Sequence, residues 1–133
     1  MTLGRLHRIT RRTLLTLHAW LGLVAFDFAR LAGFAYVREW LRTRPKSSRH
    51  SWAAADDVVW CLDEACVWYV KRAACLQRSV VATWLLRRHG HAAEMVIGFR
   101  PLPFESHAWV EVEGHVVNDR PQYQRAFRTL DRI

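Results

Sequence analysis

Acidic side chains and cysteines are both scarce in this sequence. Twelve Asp and Glu oppose 20 Lys and Arg among 133 residues, which gives a formal charge of +8. Such a surplus suits an acidic peptide, an anionic membrane surface or nucleic acid, and it says nothing about fold. The three cysteines, Cys61, Cys66 and Cys75, are too few and odd in number for a disulfide scaffold. A reducing, cytoplasmic location is therefore predicted.

Several motifs of cofactor chemistry are missing. No C-x-x-C or H-x-x-x-H pair is present, so Cys61 and Cys66 are interpreted as core residues and no metal is expected. No P-loop is present, and no cofactor is expected. Neither zinc-finger spacing nor an aromatic RNA-binding signature accompanies the arginines. Nucleic-acid binding is therefore disfavoured.

The N-terminal region lacks charge over residues 13–26, yet this run is shorter than the ~20 residues of a spanning helix. No cleavage site of the A-x-A type follows the arginine pair at residues 11–12, which argues against an export signal. A core-facing or docking helix is predicted, with membrane-surface association as an alternative. Its stripe comprises Leu14, Leu17, Leu21, Val24, Phe28 and Leu31. A kink is expected at Gly33.

The remaining pattern predicts an α+β fold in a single domain of residues 1–133, with a helical region (1–50) and a catalytic core (51–133). Residues 42–50 suggest a linker, and Ser51 is expected to cap a helix that runs to about Arg72 and buries Val59, Leu62, Cys66 and Tyr69. A helix over residues 75–89 ends before Gly90, where Arg87 and Arg88 occupy the last turn. A strand over 95–99 and a hairpin of 108–112 with 115–117 complete the prediction.

Cys75, His107 and Asp119 are the candidate catalytic residues. A cysteine at a helix N-terminus beside an imidazole has the surroundings that favour a nucleophilic thiolate. The hairpin carries both His107 and Asp119, but side chains alternate between the faces of a strand. A two-residue turn at Glu113-Gly114 would place the histidine and the aspartate on opposite faces, whereas an odd-length turn or a bulge would place them together. We therefore predict the odd-length turn or a bulge.

The motifs of residues 55–120 resemble those of the lasso peptide maturation protease, a transglutaminase-like leader peptidase. They are CLQRS at 75–79, LLRRHG at 85–90, VIGF at 96–99, HAWVEV at 107–112, Gly114 and Asn118-Asp119. The resemblance implies a papain/transglutaminase-like fold with N-terminal helices and the nucleophile helix packed on a small antiparallel sheet. It implies that Cys75 is the nucleophile, His107 the general base and acid, and Asp119 the residue that orients the imidazole.

The implied activity is a cysteine protease that removes the leader from a ribosomally made lasso precursor. The implied partners are the precursor peptide, a macrolactam cyclase and a separate leader-recognition protein, because 133 residues leave no room for a fused recognition domain. Arg78, Phe104 and Trp109 are weaker candidates for substrate binding; Arg78 could instead tie the helix to a loop, and Trp109 could simply pack.

Three other functions stay open at this point. The chain could be a non-catalytic peptide-binding or assembly module of the same maturation complex. It could be a basic nucleic-acid-binding domain. Transamidation between side chains is the third, because it would use the same thiolate and differ only in the acceptor.

Overall fold

The computed structural model describes residues 2–45 and 53–133. Its helices are α1 (Thr2–Ala29), α2 (Phe34–Thr43), α3 (Ala55–Val67), α4 (Cys75–Arg88) and the short α5 (Tyr123–Ala126). Its strands are β1 (Ala93–Pro101), β2 (Phe104–Val112), β3 (His115–Val116) and β4 (Arg128–Arg132). The strands form an antiparallel sheet in the order β3-β2-β1-β4. The predicted α+β class is confirmed.

Helix α1 packs on α3 and α4 through a face other than the predicted stripe. Leu15, Ala19 and Leu23 are buried, whereas the predicted Leu17 and Leu21 are about half exposed. Two small residues on this face, Ala19 and Gly22, let the helices approach closely. A Cβ atom added at Gly22 would lie 2.9 Å from Val81 Cγ1 on α4. The stripe of large residues was the wrong buried face.

The same helix is long and apolar enough, by length and composition, to cross a membrane over Leu3–Ala32. The uncharged run of 14 residues thus lies within a helix of 28 residues. Only 28% of its most apolar window is buried in the protein. Length and composition alone do not distinguish a membrane helix from a core helix, and here one face of α1 forms core contacts with α3 and α4.

The breaks between helices follow local conformation. A short 3-10 turn and Gly33, whose φ of 97° suits glycine, separate α1 from α2, as predicted. Helix α3 begins at Ala55 after the N-cap residue Ala54 and ends at Val67, so it stops short of Arg72. Its buried residues are Val58, Cys61, Leu62 and Ala65, so the buried face comprises the predicted Leu62 and neighbours of the other predicted residues. The predicted Ser51 cap and most of the predicted linker lie outside the described residues.

Strand β4 and helix α5 were not predicted. Strand β4 pairs with β1, and Ile133 exchanges two backbone hydrogen bonds with Met95, at 2.9 and 3.0 Å. Arg38 on α2 donates to Asp131 on β4 at 2.6 Å. The end of the chain therefore completes the sheet and fastens α2 to it.

Candidate active site

Cys75 is the first residue of α4, as predicted, and it is partly exposed. Ala74 precedes it in an extended conformation and provides no side-chain cap. The first backbone N–H groups of a helix have no intrahelical acceptor, and the helix dipole favours an anion at this end. Within the first turn of α4 there is no acidic residue to oppose a thiolate.

His107 and Asp119 form a partly buried pair. The Nε2 atom of His107 lies 2.8 Å from Asp119 Oδ2, and the two side chains are 17% and 24% exposed. Strand β2 carries the histidine, and aromatic rings surround its imidazole: the ring centroid of Tyr123 is 4.3 Å away, that of Phe127 is 5.9 Å and that of Trp109 is 6.3 Å. The carboxylate and these rings leave the imidazole few alternative orientations.

The hairpin turn differs from the prediction. Glu113 and Gly114 form a regular two-residue turn with positive φ angles of 52° and 79°, and Val112 pairs directly with His115. The prediction of an odd-length turn or a bulge was wrong, because β2 and β3 pair without a register shift. By the alternation argument alone, this turn would have placed His107 and Asp119 on opposite faces.

The two side chains nevertheless meet because β3 ends before Asp119. Val117 N–H donates the last backbone hydrogen bond of this pairing, to Val110. The next hydrogen bond comes from a side chain, because Asn118 Oδ1 accepts from Val110 N–H at 2.7 Å. The backbone is thereby released from the sheet, and the alternation rule no longer applies to Asp119. Opposite faces are expected only for a strand that continues to residue 120, whereas β3 ends at Val116.

Asn118 also links the hairpin to the nucleophile helix. Its Nδ2 atom donates to Ser79 Oγ at 3.3 Å. Ser79 is fully buried and follows Cys75 by four residues, hence on the same face of α4. The side chain next to Asp119 in sequence therefore contacts α4 one turn from Cys75.

Arg78 supports the same arrangement. Burial alone would lower the pKa of Arg78, but the Asp63 carboxylate, with a smaller contribution from Asp119, raises it overall. Its Nη2 atom donates to Asp63 Oδ1 at 2.6 Å, so Arg78 ties α4 to α3.

The other two predicted substrate-binding residues occupy contrasting places. Phe104 is 76% exposed at the start of β2. Trp109 is fully buried, so the structure corrects its predicted contact with substrate in favour of the packing alternative. Its ring fits beside Gly98, where an added Cβ atom would lie 2.6 Å from the indole.

A buried carboxylate contacts Trp109 and the helix that carries Tyr123, two of the aromatic residues that surround His107. Glu111 is 4% exposed and accepts hydrogen bonds from Trp109 Nε1, Gln124 Nε2 and Arg132 Nη1 at 2.9–3.0 Å. Burial would raise the pKa of Glu111, but these hydrogen bonds outweigh it and lower the pKa overall. Gln124 belongs to α5, so Glu111 also fixes the helix that carries Tyr123. Strand alternation could have indicated this site, because residues 107, 109 and 111 share one face.

The remaining cysteines lie within α3 and not at a helix N-terminus. Cys61 is buried and Cys66 is half-buried, and burial raises the pKa of both thiols. Within residues 2–45 and 53–133, no group of three His, Cys, Asp or Glu side chains could hold a metal ion.

A cysteine at a helix N-terminus and a histidine–aspartate pair on an adjacent sheet agree with the comparison to known families. A family model described as the transglutaminase-like superfamily matches residues 21–132. The chain belongs to the transglutaminase-like superfamily. The predicted family resemblance and fold are thereby confirmed.

One curated relative gives a more specific similarity. The chain is 44% identical over 59 residues to the microcin J25-processing protein McjB of Escherichia coli. That segment covers 44% of this chain and 28% of the relative, so the chain spans under a third of the relative it matches. No solved structure matches the chain.

Proposed function

We propose that Cys75, His107 and Asp119 act as the catalytic triad of a cysteine peptidase that removes the leader from a lasso precursor peptide. The observation that carries this proposal is the 2.8 Å pair between His107 Nε2 and Asp119 Oδ2. The contact of Asn118 with Ser79 supports it, because it joins this pair to the helix that begins at Cys75.

The atoms engaged in the pair assign a role to each residue. Asp119 occupies Nε2 of the imidazole, so Nδ1 is the nitrogen that exchanges a proton with the Cys75 thiol. The carboxylate orients the ring and stabilises the imidazolium that forms. The N-terminal amides of α4 stabilise the thiolate and the developing oxyanion.

The reaction then proceeds through a thioester. The Cys75 thiolate attacks the carbonyl carbon of the last leader residue, and the imidazolium of His107 protonates the leaving amine of the core peptide. Water, deprotonated by the same imidazole, attacks the thioester carbonyl carbon, and the leader leaves as a carboxylate while the thiol is regenerated. The core peptide gains the free α-amino group that macrolactam formation consumes.

The substrate would lie across the histidine toward an open cavity of about 430 Å³. Tyr123 and Phe127, which contact the His107 ring, line this cavity together with Arg100 and Arg120. We propose that it holds precursor residues next to the scissile bond, and that exposed Phe104 lies along the same path. A leader-recognition protein and a macrolactam cyclase are the proposed partners. A reducing cytoplasm is the proposed location, because it would keep the Cys75 thiol free.

Thiol reactivity tests the site without knowledge of the substrate. Iodoacetamide should alkylate Cys75 before Cys61 and Cys66, whose thiol pKa values are raised by burial. His107→Ala should slow alkylation of Cys75 near neutral pH, whereas His115→Ala, at an exposed position at the start of β3, should not. Alkylation at Cys75 that is equally fast in all three proteins would contradict the pairing of Cys75 with His107.

Cleavage of a precursor tests the reaction itself. A candidate lasso precursor peptide would be incubated with the protein, with and without a recognition protein, and the product masses measured by mass spectrometry. Cys75→Ala should abolish leader release, and His107→Ala should reduce the rate by roughly 10²–10⁴-fold. Unchanged processing by folded Cys75→Ala would instead indicate an assembly module, and an amide-exchanged product would indicate transamidation.

A further inference from the structure

An apolar cleft opens between α1, α2 and α4, and none of the proposed catalytic residues lines it. Its volume is about 380 Å³, which is within the range of ligand sites. Ala25 from α1, Trp40 from α2 and Trp84 from α4 each line one wall, and neither Asp nor Glu is among the lining residues. Gly22 lies at the contact of α1 with α4, where a Cβ atom would lie 3.1 Å from the Trp84 ring.

Two arginines lie on the tryptophans of this cleft. The Arg44 guanidinium is 4.6 Å from the Trp40 ring centroid, and the Arg88 guanidinium is 5.8 Å from that of Trp84. Both arginines are exposed. Cation–π contacts of this kind hold the charged groups beside the apolar lining. The cleft therefore combines an apolar interior with positive charge on two of its walls.

The apolar surface continues along α1 beyond the cleft. Leu21 lines the cleft and is half exposed, and Leu17 and Leu14 follow it at helical spacing with similar exposure. At 1.5 Å per residue this row extends the apolar surface by roughly 10 Å. The leucine row and the cleft together form one elongated apolar surface. Such a surface fits an elongated occupant such as a helix better than a compact ligand.

The charge of this region indicates the chemistry of that occupant. Residues 2–45 contain eight Arg and only two acidic residues, Asp27 and Glu39. Asp27 is already paired with Lys71 at 2.6 Å, and Arg12 and Arg38 are paired with Asp57 and Asp131 at 2.9 and 2.6 Å. The other six Arg of this segment still outnumber its one remaining acidic residue, Glu39. A partner segment with carboxylates would therefore meet an electrostatically complementary surface.

We propose that this cleft binds an acidic amphipathic helix of a partner polypeptide. The apolar side chains of the helix enter the cleft and follow the Leu14–Leu17–Leu21 row. Its carboxylates pair with Arg44 and Arg88. The interaction is independent of the peptidase reaction, because it uses none of the triad residues.

Two fluorescein-labelled helical peptides of 18 residues test the proposal against the full-length protein by anisotropy. They carry the same Leu residues at i, i+3 and i+7, flanked by Glu in one peptide and by Lys in the other. The Glu peptide should bind at least 10-fold more tightly than the Lys peptide. Equal affinity of the two peptides, or absence of binding by the Glu peptide, would overturn the proposal.

Variants of the cleft locate the binding. Ala25→Trp fills the cleft from an exposed position and should lower the affinity for the Glu peptide at least 10-fold. Ala35→Trp, which is exposed on α2 outside the cleft, should leave this affinity unchanged. Arg44→Glu with Arg88→Glu should reverse the preference between the peptides, and the exposed control Arg8→Glu should retain it. Circular dichroism checks that each variant folds.

The competing occupant is an anionic lipid surface. Vesicles of phosphatidylcholine with phosphatidylglycerol would be sedimented with the protein in the same series of variants. One pair of results would refute helix binding and favour membrane binding. In that case Ala25→Trp abolishes binding to the vesicles but does not change the affinity for the Glu peptide.

Discussion

Arg87 joins four elements of the fold, and its replacement by methionine should destabilise the protein strongly. The guanidinium is 3% exposed and donates to the carbonyl oxygens of Leu41, Ala93 and Ile133 at 2.7–2.8 Å. These carbonyls lie at the end of α2, the start of β1 and the chain terminus beyond β4. The Arg87→Met variant keeps an apolar stem of similar length and removes every donor.

The expected loss follows from opposing contributions. Three hydrogen bonds from a charged group contribute about 1.5–3 kcal/mol each, or roughly 5–9 kcal/mol together. Burial of the guanidinium costs several kcal/mol, a cost that methionine does not carry. This desolvation also lowers the pKa of Arg87. Two of the three carbonyls keep a backbone partner, because Arg44 N–H donates to Leu41 and Met95 N–H donates to Ile133. We therefore expect a net loss of about 2–4 kcal/mol.

Urea unfolding followed by circular dichroism measures this loss directly. A change of 2–4 kcal/mol corresponds to a melting temperature lower by roughly 8–15 °C in a domain of this size. Arg8→Met is the control, since Arg8 is exposed on α1 and a surface substitution changes stability by no more than about 0.5 kcal/mol. Arg87→Met that unfolds within 1 kcal/mol of the parent protein would refute the argument that the three carbonyl contacts hold these elements together.

Three further predictions concern the surroundings of the proposed site. Glu111→Gln should lower stability at neutral pH by about 1–3 kcal/mol through weaker hydrogen bonds; because the folded-state pKa of Glu111 is depressed, its contribution is present above the unfolded pKa and lost as pH falls through the folded one. Unfolding curves of variant and parent should therefore converge in acid, and a constant difference would contradict this. Gly98→Ala should destabilise by about 1–3 kcal/mol, because the new methyl group would lie 2.6 Å from the Trp109 ring; thermal denaturation detects this, and an unchanged melting temperature would argue against the contact. Asn118→Ala should slow Cys75-dependent cleavage by lowering kcat more than it raises KM, because it removes the hydrogen bonds to both Val110 and Ser79. Ser79→Ala removes the hydrogen bond to Asn118 and should have a smaller effect. Equal activity of both variants and the parent protein would contradict a role for Asn118 in positioning the catalytic residues.

Local sequence determined much of the secondary structure around the site. The end of α4 before Gly90 and the paired strands on either side of Glu113-Gly114 follow from helix-terminal and turn chemistry. These features depend on neighbouring residues and backbone preference, so they can be inferred without knowing what packs against them. The start of α4 at Cys75 has no capping side chain to mark it. The motifs of residues 55–120 also indicated the family.

Contacts between distant residues decided the rest. Side-chain size could not reveal that α1 buries Ala19 and Leu23 instead of Leu17 and Leu21, because the choice depends on how closely α4 can approach Gly22.

The pairing of His107 with Asp119 is the clearest case. Turn length and strand alternation placed the two on opposite faces, and both rules hold as far as Val117. The Asn118 side chain then takes the hydrogen bond of Val110 and contacts Ser79, which lies 39 residues earlier in the chain. Sequence alone named the residues of the proposed triad, whereas the tertiary contact that ends the strand brought two of them together, because a hydrogen bond to a distant helix leaves no periodic signal in the local sequence.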